Sequence, residues 1–302
     1  MVSGLLGTIL ERDGSVYRIA TAEGEIRAVL RGKVKRETPR LVVGDRVHLD
    51  TDATGDLHGI TGIEPRTTLL ERRVPDGRGA RPVAANIDQV FVVTASTHPE
   101  PIPQLIDRLL VVAEANEIAA AVVVNKVELD RGEALVDRLR RAGYRVYPTS
   151  VRTGEGVEAF ATALIGRISV VTGPSGAGKS SLLNAVQPGL HLRTGLLSAR
   201  VARGKNTTVS AVMIPLAAGG FLVDTPGFSD VGLWAIDPKE LASCFPEFRP
   251  HIGECRFGDC RHLTEPGCSI AAAVAAGEIA ADRLESYRVL LAELEGEPEE
   301  WE

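Results

Sequence analysis

The chain has 302 residues, 44% apolar and 25% charged, which excludes a disordered or fibrous protein and sets a prior of about two domains. Acidic residues number 40 against 34 basic ones, and the resulting net charge of −6 excludes a uniformly basic nucleic-acid coat while leaving room for a local basic patch. No apolar stretch approaches the ~20 residues of a membrane span, and the start has neither a basic leader nor an apolar run long enough for a secretory signal.

In chain order, residues 1–70 read as five short strands: Gly7–Ile9, Val16–Ala20, Glu25–Leu30, Arg46–Leu49 and Gly59–Ile63. Turn pairs such as Asp13-Gly14 and Glu23-Gly24 separate them. That density of strands fits a small Greek-key barrel of the OB type. Between Arg27 and Arg46 stand seven basic and two acidic residues, among them Arg31, Lys33, Lys35 and Arg36. The stretch is either a solvated strand face or a contact to a phosphate backbone. Arg72–Pro82, polar and rich in Gly and Pro, reads as a linker.

The period then changes. Apolar runs at Ile87–Thr94, Ala119–Val124, Tyr144–Tyr147 and Ile168–Thr172 alternate with helical spacing at Ile102–Ala115, Glu133–Ala142 and Val157–Ile165. Alternation of this kind predicts a parallel α/β sheet. Further on, Phe221–Val223 is a short apolar strand. Ala242–Cys268 is irregular and holds all four cysteines, Ile270–Leu294 is Ala-rich and helical, and Glu293–Glu302 carries six Glu as an acidic solubilising tail. The expected division is a barrel over 1–70, a nucleotide domain over 83–236 and a C-terminal module over 237–302.

Three motifs carry chemistry. Gly173-Pro174-Ser175-Gly176-Ala177-Gly178-Lys179-Ser180 follows a strand and, through Ser180 and Ser181, opens a helix. In this phosphate-binding loop, glycines let backbone N–H groups face phosphate oxygens at a helix N-terminus. Lys179 is expected on the β and γ phosphates and the Ser180 hydroxyl on Mg²⁺. Asp224-Thr225-Pro226-Gly227 has the D-x-x-G form, in which the Asp meets Mg²⁺ through water and the Gly N–H meets the γ-phosphate. Asn125-Lys126-Val127-Glu128 ends a strand and has the form of a guanine reader. Its Glu128 would accept from the ring N–H and exocyclic amine, which adenine cannot offer. Thr149-Ser150 stands where a loop contacting the same base is expected.

Order adds information. The base-reading motif comes first, then Thr149-Ser150, the phosphate loop, Thr207 and Thr208, and finally Asp224–Gly227. Ordinary GTPases begin with the phosphate loop, so this is a circularly permuted G domain, in which only the chain break has moved. Cys255, Cys260, His262 and Cys268 supply three thiols and an imidazole within 14 residues. Such a set suits one structural, tetrahedral Zn²⁺, with reduced thiols in the cytoplasm. Cys244 reads as a core thiol, and His191 and His251 as surface histidines.

A barrel, a permuted G domain and a Cys3His module together resemble the ribosome small-subunit-dependent GTPase family (RsgA). The motifs are Asn125–Glu128, Gly173–Ser180, Arg203-Gly-Lys-Asn-Thr-Thr208, Asp224-Thr-Pro-Gly-Phe228, Phe245-Pro-Glu-Phe248 and the Cys255–Cys268 ligand set, and the likeness spans essentially the whole chain. The resemblance implies a GTP-hydrolysing assembly factor of the small ribosomal subunit and its rRNA. It implies slow intrinsic turnover stimulated by the subunit, with Mg²⁺ bound alongside GTP or GDP. A cytoplasmic monomer is expected. Two other readings remain: an RNA-binding module with a structural guanine nucleotide, and a P-loop nucleotide kinase, disfavoured by the base-reading motif. One departure from the family is Asn206, where a His is usual; Asn can hydrogen-bond but carries no proton near neutral pH. Phe228 stands where many GTPases keep a water-orienting Gln, and is also readable as a core residue.

Overall fold

Strand-period apolar residues open the chain as β1 (Leu5–Asp13), β2 (Val16–Thr21), β3 (Gly24–Leu30), β4 (Arg46–Leu49) and β5 (Leu57–Ile63). They close into a barrel of order β1-β2-β3-β5-β4. Neighbours are antiparallel except β3 and β5, which run parallel with Arg27 opposite Leu57. Ile9, Tyr17, Ile19, Ala28, Leu41, Val47, Leu49 and Ile60 fill the interior. A bulge between Ile9 and Glu11 makes Ile9 and Leu10 consecutive buried residues, and β1 also packs against a later strand. This is a computed structural model, and it describes residues 5–31, 40–50, 57–73, 80–190, 211–224 and 236–296. Of the basic stretch, Arg27, Arg31, Arg40 and Arg46 are exposed, Arg31 being paired with Asp50 at 2.9 Å, while Lys33, Lys35 and Arg36 lie outside the described residues.

Two compact units divide the chain. One comprises Met1–Gln89, Ala163–Val171 and Gln187–Phe228, the other Val90–Thr162, Thr172–Val186 and Ser229–Glu302. In the first unit the two ends of the expected linker are strand, β6 (Leu69–Arg73) pairing antiparallel with β7 (Ala80–Ala85) and Glu71 opposite Pro82, while residues 74–79 lie outside the described residues. A two-stranded ribbon has only edges, so it tolerates Pro and polar residues that suggest a loop in sequence. Asn86, with φ 57°, follows the hairpin: its amide donates to Gly44 O at 2.8 Å and its Oδ1 accepts from Thr67 N. Asp45, fully buried, is held by Arg66 at 2.7 Å.

After β8 (Gln89–Ala95) come α1 (Pro103–Ala115), β9 (Ala119–Asn125), α2 (Glu133–Arg141), β10 (Arg145–Thr149), α3 (Val157–Leu164), β11 (Ile168–Thr172) and α4 (Lys179–Val186). Two further strands, β12 (Val212–Pro215) and β13 (Phe221–Asp224), complete the set. In the first unit β13 joins β11 in parallel and β12 joins β13 antiparallel. The pairings β9–β10 and β11–β13 are parallel as expected, and β12 adds an antiparallel strand at one edge that four residues are too few to announce by strand period. It is β12 that packs on β1.

The second unit carries the order β10-β9-β8, with β9 and β10 parallel. Phe91, Tyr147 and Phe160 meet edge to face beneath α3, Phe91 and Phe160 at 5.0 Å between centroids. The expected single helical stretch over 270–294 is two helices, α5 (Ser269–Ala275) and α6 (Ala281–Leu294), preceded by 3-10 turns at Leu241–Cys244 and Pro246–His251. Gly277 ends the first helix, as its strong C-terminal preference allows. Among the described residues no helix is long and apolar enough to cross a membrane.

Candidate functional site

Strand β11 delivers the buried Thr172 to Gly173, and α4 starts at Lys179, so the Gly-rich loop lies between a strand end and a helix N-terminus. Two glycines are required by contact as well as conformation. Gly173 has φ +135° and a Cβ there would stand 2.0 Å from Val93 O. Gly178 has φ +89°, and a Cβ would stand 2.4 Å from Asn125 Nδ2. The Lys179 ammonium donates to Gly173 O at 2.7 Å and Pro174 O at 2.8 Å, and burial lowers its pKa. Ala177 is buried, while Ser175, Gly176, Ser180 and Ser181 are exposed.

Asn125 ends β9 and is buried. Its Nδ2 donates to Ala177 O at 3.0 Å and its Oδ1 accepts from Thr149 Oγ1 at 3.2 Å. One side chain thereby joins the phosphate-loop motif, the base-reading motif and the Thr149-Ser150 loop. Lys126 takes the left-handed conformation (φ 65°), and its ammonium donates to His98 O. Val127 N donates to Thr149 O at 3.2 Å. The side chain of Glu128 is 12% exposed, with Oε1 3.7 Å from Arg152 Nε. Its enclosed Oε2 has no hydrogen-bond partner. The Ser150 hydroxyl, against the opposing effect of burial, holds the Glu128 carboxyl below the usual carboxylate range. The result is an ionised acceptor with one oxygen free for incoming donors.

Sequence reasoning overlooked the Ser96–Ile102 turn. Ser96 Oγ donates to Lys126 O at 2.9 Å, and Pro99 lies over Gly176, 3.3 Å from a Cβ built there. The cluster Ser-Thr-His-Pro-Glu-Pro after an apolar strand was the available signal. Asp224 ends β13, 3% exposed and opposite Val212. Thr207, Thr208, Gly227, Asn206, Phe228 and His191 lie outside the described residues.

The second cluster is formed by Cys255, Cys260, His262 and Cys268, whose ligand atoms all lie within 4.8 Å of one another. His262 Nδ1 stands 3.6 Å from Cys255 Sγ, 3.7 Å from Cys260 Sγ and 3.4 Å from Cys268 Sγ. Zn–S near 2.3 Å and Zn–N near 2.05 Å around a tetrahedron require S···N edges of about 3.6 Å, so the cluster fits that ion. Burial lowers the His262 pKa and favours the neutral imidazole that ligates. Supporting donors reach two of the sulfurs: Ser269 N to Cys255 Sγ at 3.3 Å, and Ala271 N to Cys268 Sγ at 3.5 Å. Cys244 is apart and buried, its thiol pushed up to about 11 by burial, as a core thiol should be. His251 is half-buried at the surface, 3.6 Å from the exposed Glu278.

The solved structure of YloQ, described as a circularly permuted GTPase, has a TM-score of 0.79 at 27% identity, covering 99% of this chain and 98% of that one. With the motif order above, that likeness defines the class, a circularly permuted GTPase with a five-stranded barrel ahead of it and a Cys3His cluster behind. The family model for the RsgA GTPase matches residues 63–234. The small ribosomal subunit biogenesis GTPase RsgA of Gemmatimonas aurantiaca is 48% identical over 305 residues, covering 98% of this chain and 99% of that protein. YjeQ from Thermotoga maritima is 36% identical, with a TM-score of 0.81 and coverage of 97% and 99%. The chain belongs to the RsgA GTPase family.

Proposed function

We propose that this chain hydrolyses GTP to GDP and phosphate and acts in biogenesis of the small ribosomal subunit, as the names of its relatives state for them. The observation that supports the nucleotide assignment most strongly is the free, enclosed Oε2 of Glu128, on a segment that Asn125 ties to the phosphate loop. A carboxylate only accepts, so the ligand that completes it must donate, and guanine presents two donors on one edge. Asn125, Lys126, Val127, Thr149 and Ser150 frame the base, and Gly173–Ser181 the phosphates.

Lys179 moves from the carbonyls of Gly173 and Pro174 to the β and γ phosphate oxygens, so part of its desolvation is already met in the free protein. Thr207 or Thr208 and the Gly227 N–H report on the γ-phosphate. Mg²⁺, with Ser180 and Asp224 as its motif residues, would supply charge to offset the phosphate oxygens. Phe228 cannot orient water by hydrogen bonds, so turnover without the subunit is slow. Cys255, Cys260, His262 through Nδ1 and Cys268 hold one structural Zn²⁺ per chain. The barrel over 1–70, the G domain over 83–236 and the module over 237–302 work as three parts of a cytoplasmic monomer, the exposed arginines of 27–46 meeting rRNA.

Phosphate release from GTP and from ATP, with and without purified small subunits, tests this reading. GTP alone should be hydrolysed slowly and the subunits should accelerate it. Tight GTP binding with no turnover under either condition would favour the alternative of a structural nucleotide.

A further inference from the structure

Helix α1 meets the nucleotide loops at its start and the C-terminal module along its side. The Ser96–Ile102 turn leads straight into Pro103 at its N-terminus, and that turn presents His98 O to the Lys126 ammonium and Pro99 to the phosphate loop at Gly176. One turn into the helix stands Asp107, fully buried. Arg138 on α2 grips its two oxygens at 3.0 and 2.6 Å, and Arg283 on α6 approaches at 2.7 Å. Arg283 is itself fully buried, hydrogen-bonded to Glu247 at 2.5 and 3.1 Å and lying 4.5 Å over the Phe245 ring.

From Arg283 the path continues one turn along α6. Tyr287 packs on Phe245 and Phe248, its ring centroid is 6.1 Å from that of His262, and its hydroxyl donates to Arg261 O at 2.9 Å. Arg288 donates to Leu263 O at 2.6 Å. Thus Asp107 and Glu247 with Arg138 and Arg283 form a buried junction between α1 and α2 on one side and the Cys3His module on the other, and Arg138 also donates to the half-exposed Asp282 at the start of α6. Such a junction resists sliding, because displacement leaves a buried charge unpaired.

We propose that α1 couples the nucleotide pocket to the metal-binding module, with the Asp107–Arg283 ion pair as the joint, so that filling the pocket stiffens the module; this rests on assigning Asn125–Glu128 and Gly173–Ser180 to a guanine nucleotide. A bound nucleotide orders the Ser96–Ile102 turn, and a rigid helix passes the lost freedom to α6 through the joint. By linkage, a loosened module weakens nucleotide binding by the same factor.

Hydrogen exchange on the full chain, with and without GDP, tests this. Amides of Ala281–Leu294 and Leu241–Cys244 should slow by roughly threefold or more with GDP, and the slowing should vanish in Asp107→Asn. Protection confined to the nucleotide loops and the Ser96–Ile102 turn would overturn the coupling. An absence of GDP protection even at the nucleotide loops would instead remove the nucleotide assignment on which it stands. Should Asp107→Asn not fold, the parent with and without GDP decides alone.

Discussion

Glu128 and Gly178 are the single residues on which the proposed guanine site depends most. With Oε2 enclosed and unpaired, Glu128 would select for donors in that proposal, and replacing it would remove a hydrogen bond to a charged group. Glu128→Ala should weaken GTP binding roughly tenfold to a hundredfold while ATP binding stays poor, as read by titration with labelled nucleotides. Equal affinity of the parent for GTP and ATP would refute the role given to this residue. Gly178 is constrained twice, by its left-handed φ and by the Asn125 amide that a Cβ would meet. Gly178→Ala should cost about 1–3 kcal/mol of stability in denaturant unfolding and lower nucleotide affinity further, because Asn125 must release Ala177 O.

Among elements, the joint of α1, α2 and α6 holds one carboxyl, Asp107, whose protonation should contribute to acid unfolding. Burial alone would raise the Asp107 pKa; Arg283 and Arg138 outweigh it and the net shift is downward. A carboxyl depressed in the folded state contributes stability that is complete above its unfolded value near 3.9 and fades as pH falls through the lower folded value. Asp107→Asn should therefore lower stability at neutral pH, by up to about 3–5 kcal/mol for a broken buried pair, and flatten the acid limb below pH ~4. An unchanged acid limb in thermal melts would show that Asp107 does not set it. The Cys3His loop depends on a different source of order. Cys260→Ser, or a strong chelator, should loosen 255–296 while the β8–β10 core stays folded, which differential proteolysis would reveal. Metal analysis finding no zinc in protein purified without chelators would reject the ion.

At the scale of the whole molecule, the barrel and the Cys3His module stand at opposite ends of the sequence with the G domain between. If both grip ribosomal RNA, the nucleotide state controls how well they bind together. Affinity for the small subunit, measured at fixed salt, should be higher with a non-hydrolysable GTP analogue than with GDP. Identical affinities would leave the pocket intact and remove this control.

The sequence by itself determined the elements whose signal is local. The barrel strands, the β8–β11 runs with their helices, the Gly-rich loop, the order of the motifs and the Cys3His spacing were all readable, because period, glycine requirement and ligand spacing act over a few residues. Tertiary structure decided the rest. The β6–β7 hairpin is polar and carries a proline, so only its partner strand reveals it, and β12 is too short to show a period. Arg283, charged on an otherwise mixed helix, looks like a surface residue until Asp107, 176 positions earlier, and Glu247 enclose it. The amide of Asn125 joining Ala177 to Thr149 was equally hidden. The physical reason is common to these cases: the free energy of a paired polar or charged group belongs to the pair, and a sequence read locally contains only one partner at a time.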